Sequence, residues 1–210
     1  MMLENTDNYD LQVDMAKKLF LAYDQEALIR KFQLEADESG IYLHYLNTPC
    51  RIVKNTGAIE EYTGENWREC RDYGTVMTIY DLLCFPEGSQ LPPLQQQWCT
   101  VGTFIVTGVT ETEGFTKRYA KAFDGHLERL KAACRALGGE MLPKMAGADL
   151  TCRIPVTSFF PVLLQFWEGD EEFPPKLLLL WDRNTHRFMH FETTFYLQGD
   201  LLHRLHSNLS

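Results

Sequence analysis

Two uninterrupted apolar runs, Pro161-Val162-Leu163-Leu164 and Leu177-Leu178-Leu179-Leu180, flank the acidic stretch Trp167-Glu168-Gly169-Asp170-Glu171-Glu172-Phe173-Pro174-Pro175. A run with no polar alternation cannot present one face to water, so each reads as a strand buried on both faces. The segment between them cannot continue either strand, because its charges resist burial and its two prolines lack the N–H that a ladder needs. The pattern predicts strands over 150–156, 162–167 and 177–181, with the acidic loop at the tip of a hairpin-like connection. It also fixes the fold class: α+β, with an antiparallel or mixed sheet mainly from the C-terminal third, packed with N-terminal, central and C-terminal helices.

Elsewhere the apolar spacing is helical. Leu11, Met15, Leu19 and Tyr23 recur every four residues, which predicts an amphipathic helix over 9–23 with that stripe as its buried face. Asp24 stands where an N-cap belongs, ahead of a short helix through Ala27, Leu28 and Phe32, and Gly40 is read as the end of this helical section. A small antiparallel meander follows. Its strands are 41–46, 51–53 and 59–62, and its turns are Asn47-Thr48-Pro49 and Asn55-Thr56-Gly57. A helix is expected over 75–84, and two more across 115–137, meeting near Asp124-Gly125 and stopped by Gly138-Gly139. The closing helix is placed at about 194–206. The loop 86–93 is rich in proline, but its flanks do not differ in composition, so the reading is a single domain over 1–210.

Composition removes several function classes. A formal net charge of -9 with no Lys/Arg cluster disfavours nucleic acid and anionic membrane as partners. The longest apolar stretch, 159–167, is too short to span a bilayer and is interrupted by Pro161 and Gln165. The polar, acidic start has neither the basic head nor the apolar stretch of a secretory signal, so a cytoplasmic location is expected. Six cysteines, Cys50, Cys70, Cys84, Cys99, Cys134 and Cys152, fit no zinc or cluster spacing and are read as free thiols rather than three disulfides. No cofactor is expected. There is no Gly-x-Ser-x-Gly, no phosphate-binding Gly-Lys-Ser/Thr and no Gly-x-Gly-x-x-Gly, and no residue is assigned a catalytic role.

The candidate site is the loop itself: Trp167, Glu168, Asp170, Glu171, Glu172 and Phe173. Its carboxylates could converge on a hard cation through a backbone that Gly169 keeps flexible. Alternatively, its aromatic residues could give contact area to a small molecule or a protein while the acids choose the partner. A third reading is structural: a solvated tip in which Glu168 or Asp170 caps nearby amides. His186 and His190, four apart, and His203 and His206, three apart, complete no metal pattern. The second pair is placed in the last turn of the final helix, where the dipole favours cationic side chains.

The segment 161–175, followed by Leu177-Leu178-Leu179-Leu180-Trp181-Asp182, resembles the signature of an uncharacterised prokaryotic family, domain of unknown function 3786. Similar too are Phe123-Asp124-Gly125-His126-Leu127-Glu128-Arg129-Leu130 with Leu137-Gly138-Gly139, and the strand-turn-strand around Asn55-Thr56-Gly57. The resemblance implies relatives in anaerobes, some carrying an N-terminal iron–sulphur domain of the kind found in corrinoid one-carbon enzymes. This chain has no N-terminal cysteine cluster, and the resemblance transfers no activity, catalytic residue or cofactor. The leading expectation is a binding or accessory protein without catalytic activity, linked to anaerobic iron–sulphur/corrinoid metabolism by that resemblance alone. The alternative is a divalent-metal-dependent enzyme using 168–172, with Asp182 or His186 beside it.

Overall fold

The computed structural model describes residues 8–104 and 113–209. Among them are six α-helices and two five-stranded antiparallel sheets, an α+β arrangement whose longest strands lie in the C-terminal half. The chain divides into two compact units. The first comprises Met1–Leu43, Thr48–Pro92 and Arg187–Leu197; the second comprises His44–Asn47, Pro93–His186 and Gln198–Ser210.

The first unit begins with α1 (Asn8–Ala22) and α2 (Gln25–Phe32). The Asp24 side chain caps α2 by accepting from the Ala27 N–H at 3.0 Å, as expected for an N-cap. The buried face of α1 differs from the expectation. Leu11, Met15 and Leu19 are exposed at 49, 63 and 62 %, whereas Ala16 and Phe20 are buried. The buried pair is offset from the apolar stripe by one residue, about 100° around the helix. Phe20 supplies the large side chain, with its ring 6.0 Å from that of Tyr80. The helical section also ends earlier than Gly40: Gln33 takes a left-handed conformation (φ 53°) and closes α2. Gly40 instead opens a strand, its N–H held by the Asp37 carboxylate at 2.9 Å.

The meander is larger than expected. β1 (Glu35–Ala36), β2 (Gly40–Tyr45), β3 (Thr48–Val53), β4 (Ile59–Tyr62) and β5 (Trp67–Glu69) form one sheet in sequential order. The first turn is Leu46-Asn47, both at positive φ, so Thr48 and Pro49 belong to β3. α3 (Tyr73–Cys84) follows, capped by Asp72, which accepts from the Thr75 N–H at 2.7 Å.

The second unit is built on the C-terminal runs. β6 (Trp98–Cys99), β7 (Glu140–Met141), β8 (Leu150–Thr157), β9 (Phe160–Trp167) and β10 (Lys176–Asp182) form a sheet in the order β6-β10-β9-β8-β7. β9 is central and buried from Val162 to Phe166; the apolar run accounts for Val162–Leu164, and Gln165 is buried with its amide donating to Met145 O at 3.3 Å. β10 is not buried on both faces: Leu177, Leu179 and Trp181 are buried, but Leu178 and Leu180 are only half-buried. Its outer neighbour β6 has two residues and covers little of it. Pro155 and Pro161 face each other in the β8–β9 ladder, where the register shifts, so their missing N–H groups fall at one irregularity.

α4 (Glu113–Phe123) and α5 (Leu127–Ala136) meet at Gly125, as expected. α5 ends in a Schellman turn: Gly138 N–H bonds Arg135 O at 2.9 Å and Gly139 N–H bonds Cys134 O at 2.8 Å, with Gly138 at φ 76°. The last helix, α6 (Phe191–Ser207), starts three residues before its expected position. All six cysteines are free thiols. No helix among the described residues is long and apolar enough to cross a membrane.

Candidate functional site

The acidic loop does connect two antiparallel strands, β9 and β10, whose outermost pair is Trp167 with Lys176. Its backbone is held from outside by two aspartates that the loop sequence does not contain. Asp149 accepts from the Glu168 N–H at 3.0 Å and Asp124 accepts from the Gly169 N–H at 2.9 Å. Asp124 comes from the turn between α4 and α5, and Asp149 directly precedes β8. Each satisfies an amide that the end of the ladder leaves unpaired.

Gly169 is required for space. A Cβ there would lie 2.8 Å from Pro175 Cδ and 3.2 Å from Asp124 Oδ2. Prolines 174 and 175 therefore do more than stop the strand: Pro175 folds back against the start of the loop.

The four loop carboxylates have different fates. Asp170 Oδ1 accepts from Glu172 N–H at 2.8 Å and Phe173 N–H at 2.7 Å, and Asp170 N–H bonds Phe173 O at 2.9 Å. The N–H groups of Phe173 and Glu172 hold the Asp170 carboxyl below its ordinary value. Asp170 thus performs the capping role named as the structural reading. Glu171 and Glu172 are exposed. Glu168 is half-buried and lines a cavity.

That cavity, of about 1050 Å³, lies within the second unit. Trp167, Glu168, Asp170, Phe173 and Pro174 of the loop line it, together with Lys117 and Lys121 of α4, Gln165, Leu177 and Leu179, among others. The structure therefore brings Trp167, Glu168, Asp170 and Phe173 to one cavity, and leaves Glu171 and Glu172 outside its wall. The Lys176 ammonium stands 5.2 Å from the centroid of the Trp167 ring, which orients the indole by a cation–π contact. Three acids, Asp149, Glu168 and Asp170, balance three lysines, Lys117, Lys121 and Lys176, on the cavity wall.

Residues offered as neighbours of a metal have other work. Asp182 is buried and accepts from three backbone amides: Gln95 at 3.1 Å, Gln96 at 2.7 Å and Asn184 at 2.9 Å. His186 Nδ1 lies 3.2 Å from Arg183 O. Among the described residues, no group of three or more His, Cys, Asp or Glu side chains is placed to hold a metal ion. Of the two histidines expected in the last turn of α6, His206 lies there, with its ring 6.0 Å from that of Tyr119, while His203 falls just before it because the helix runs on to Ser207. Sequence reading missed Asp124, Asp149 and the α4 lysines. Each is distant in sequence from the loop, and the only trace of Asp124 was its place in the Phe123-Asp124-Gly125 segment.

Fold and site together define an α+β protein whose sheet hairpin carries an acidic, aromatic-flanked loop beside a cavity. The chain belongs to the family described as Domain of unknown function (DUF3786), whose model matches residues 24–204. No curated protein matches the chain, and no solved structure matches it.

Proposed function

We propose that the protein is a non-catalytic binding or accessory protein that takes a small organic molecule in the cavity beside the acidic loop. The observation that carries this reading is the separation of roles inside the loop. Asp170 shapes the backbone, leaving Glu168, Trp167 and Phe173 to meet a ligand. The volume is at the upper end of the range for small-molecule sites, and the wall is mainly apolar with a few convergent polar groups. Balanced acids and lysines suit a neutral or zwitterionic molecule with a planar part for Trp167. The net charge of -9 speaks against nucleic acid.

Equilibrium dialysis against a small-molecule extract, read by mass spectrometry, tests the proposal. The resemblance, which implies relatives in anaerobes, makes anaerobic cells the source to use first. Wild type should enrich one species that Trp167→Ala and Glu168→Gln do not retain. Equal retention by all three proteins, or none by any, refutes it. A second reading is a protein partner, favoured by Phe173, 67 % exposed among the outward-facing carboxylates. Glu171→Lys would then abolish capture of a basic partner in a pull-down and leave small-molecule retention unchanged.

A further inference from the structure

The first unit holds a cavity of its own, of about 990 Å³, which the acidic loop does not touch. At its wall Asp81, near the C-terminus of α3, meets His190, which directly precedes α6. Asp81 Oδ1 lies 2.6 Å from His190 Nδ1, and Oδ2 accepts from His190 N–H at 2.7 Å and Thr193 Oγ1–H at 2.6 Å. A carboxylate offers only lone pairs, so in the neutral form of the ring Nδ1 carries the proton and Nε2 presents an acceptor. The Phe85 ring, with its centroid 4.2 Å from that of His190, fixes the imidazole from another side. Asp81 is largely buried at 12 % side-chain exposure, whereas His190 is 63 % exposed and open to a ligand.

Much of the rest of the wall is aromatic surface. Tyr23 donates its hydroxyl to Cys84 O at 2.8 Å and Tyr73 donates to Gln12, so their rings remain as contact area, while Tyr80, which donates to Gly57 O, is buried. The Lys31 ammonium is spent on the carbonyls of Pro86 and Gly88. Among the lining side chains, Asp24, Asp81, Glu87 and Glu192 outnumber Arg30 and Lys31. Cys84 also lines the cavity, but burial and the charge of Asp81 push its thiol up to about 12, so it stays protonated at neutral pH and is no nucleophile.

We propose that this cavity binds an arylalkylamine, with its ring against the tyrosines and an N–H of its amine donated to His190 Nε2. The acidic excess of the wall selects for neutral or cationic ligands and against carboxylates and phosphates. The site is separate from the one under Proposed function and does not depend on it.

The test is isothermal titration of the whole chain with tryptamine and with indole-3-acetate, which share a ring and differ in the sign of their charge. Tryptamine should bind at least about tenfold more tightly than indole-3-acetate. His190→Phe keeps a ring on Phe85 and removes Nε2, and it also takes the Nδ1–H from Asp81; it should weaken tryptamine about tenfold and lower the melting temperature without unfolding the protein. Trp167→Ala, in the other cavity, should leave tryptamine affinity unchanged, which separates the two sites. Should His190→Phe fail to fold, the His190 ring ¹⁵N shifts of wild type decide instead: Nε2 must move on adding tryptamine. Equal affinity for both indoles, no binding of either, wild-type affinity in His190→Phe, or a static Nε2 each overturns the proposal.

Discussion

Single side chains decide what the acidic loop can do, and Asp170 is the clearest case. Its two amide donors stabilise the charged form, so its folded pKa lies below the ordinary 3.8. A depressed carboxylate pKa contributes stability that is complete above the unfolded value and is lost as pH falls through the folded one. Carboxyl NMR titration should therefore find Asp170 protonating below 3.8, with the loop amides of Glu172 and Phe173 shifting in the same step. Asp170→Ala should open 168–175 to limited proteolysis at neutral pH while the strands stay protected. The loop's acidity was plain in the sequence, but its division of labour was not. That division depends on Asp124 and Asp149, whose contacts with the loop span 45 and 19 positions.

At the scale of the element, the apolar stripe of α1 is the instructive miss. Four-residue recurrence identified the helix, yet periodicity alone does not say which of two adjacent faces is covered. Replacing the exposed Met15 by Lys should change stability by no more than about 0.5 kcal/mol, whereas Phe20→Ala should cost about 3–5 kcal/mol. Urea unfolding of the two variants measures both. The end of α5 gives a second prediction. A Cβ on Gly139 would stand 2.6 Å from Cys152 Sγ and 2.7 Å from Cys134 O, in the place where its N–H closes the Schellman turn. Gly139→Ala should cost about 1–3 kcal/mol by the same assay. Gly138-Gly139 was legible as a helix stop, because glycine at that position has a local reason. The reason for the second glycine, the proximity of Cys152 on β8, is tertiary.

For the whole molecule, the class and the principal sheet followed from the two apolar runs. β9 had to be central because the run Val162-Leu163-Leu164 offers no face to water, and the alternating burial of β10 shows where that logic weakens toward a sheet edge. The two-residue strands β1, β6 and β7 carry too few residues for any periodicity to register. Likewise, Asp81 and His190 lie 109 positions apart, so no spacing rule could pair them. The cavities share that property, since each is assembled from side chains that only the fold brings together.

The central claim is that the loop holds a ligand through Glu168 and Trp167 while its outer acids do not take part. Thermal unfolding with the small molecule enriched by dialysis tests it most directly, because a ligand at 100 times its Kd stabilises the native state by about 2.7 kcal/mol. Wild type and Glu171→Lys should both gain that stabilisation, and Glu168→Gln and Trp167→Ala should lose most of it. A gain shared equally by all four proteins, or lost in Glu171→Lys alone, would contradict the account.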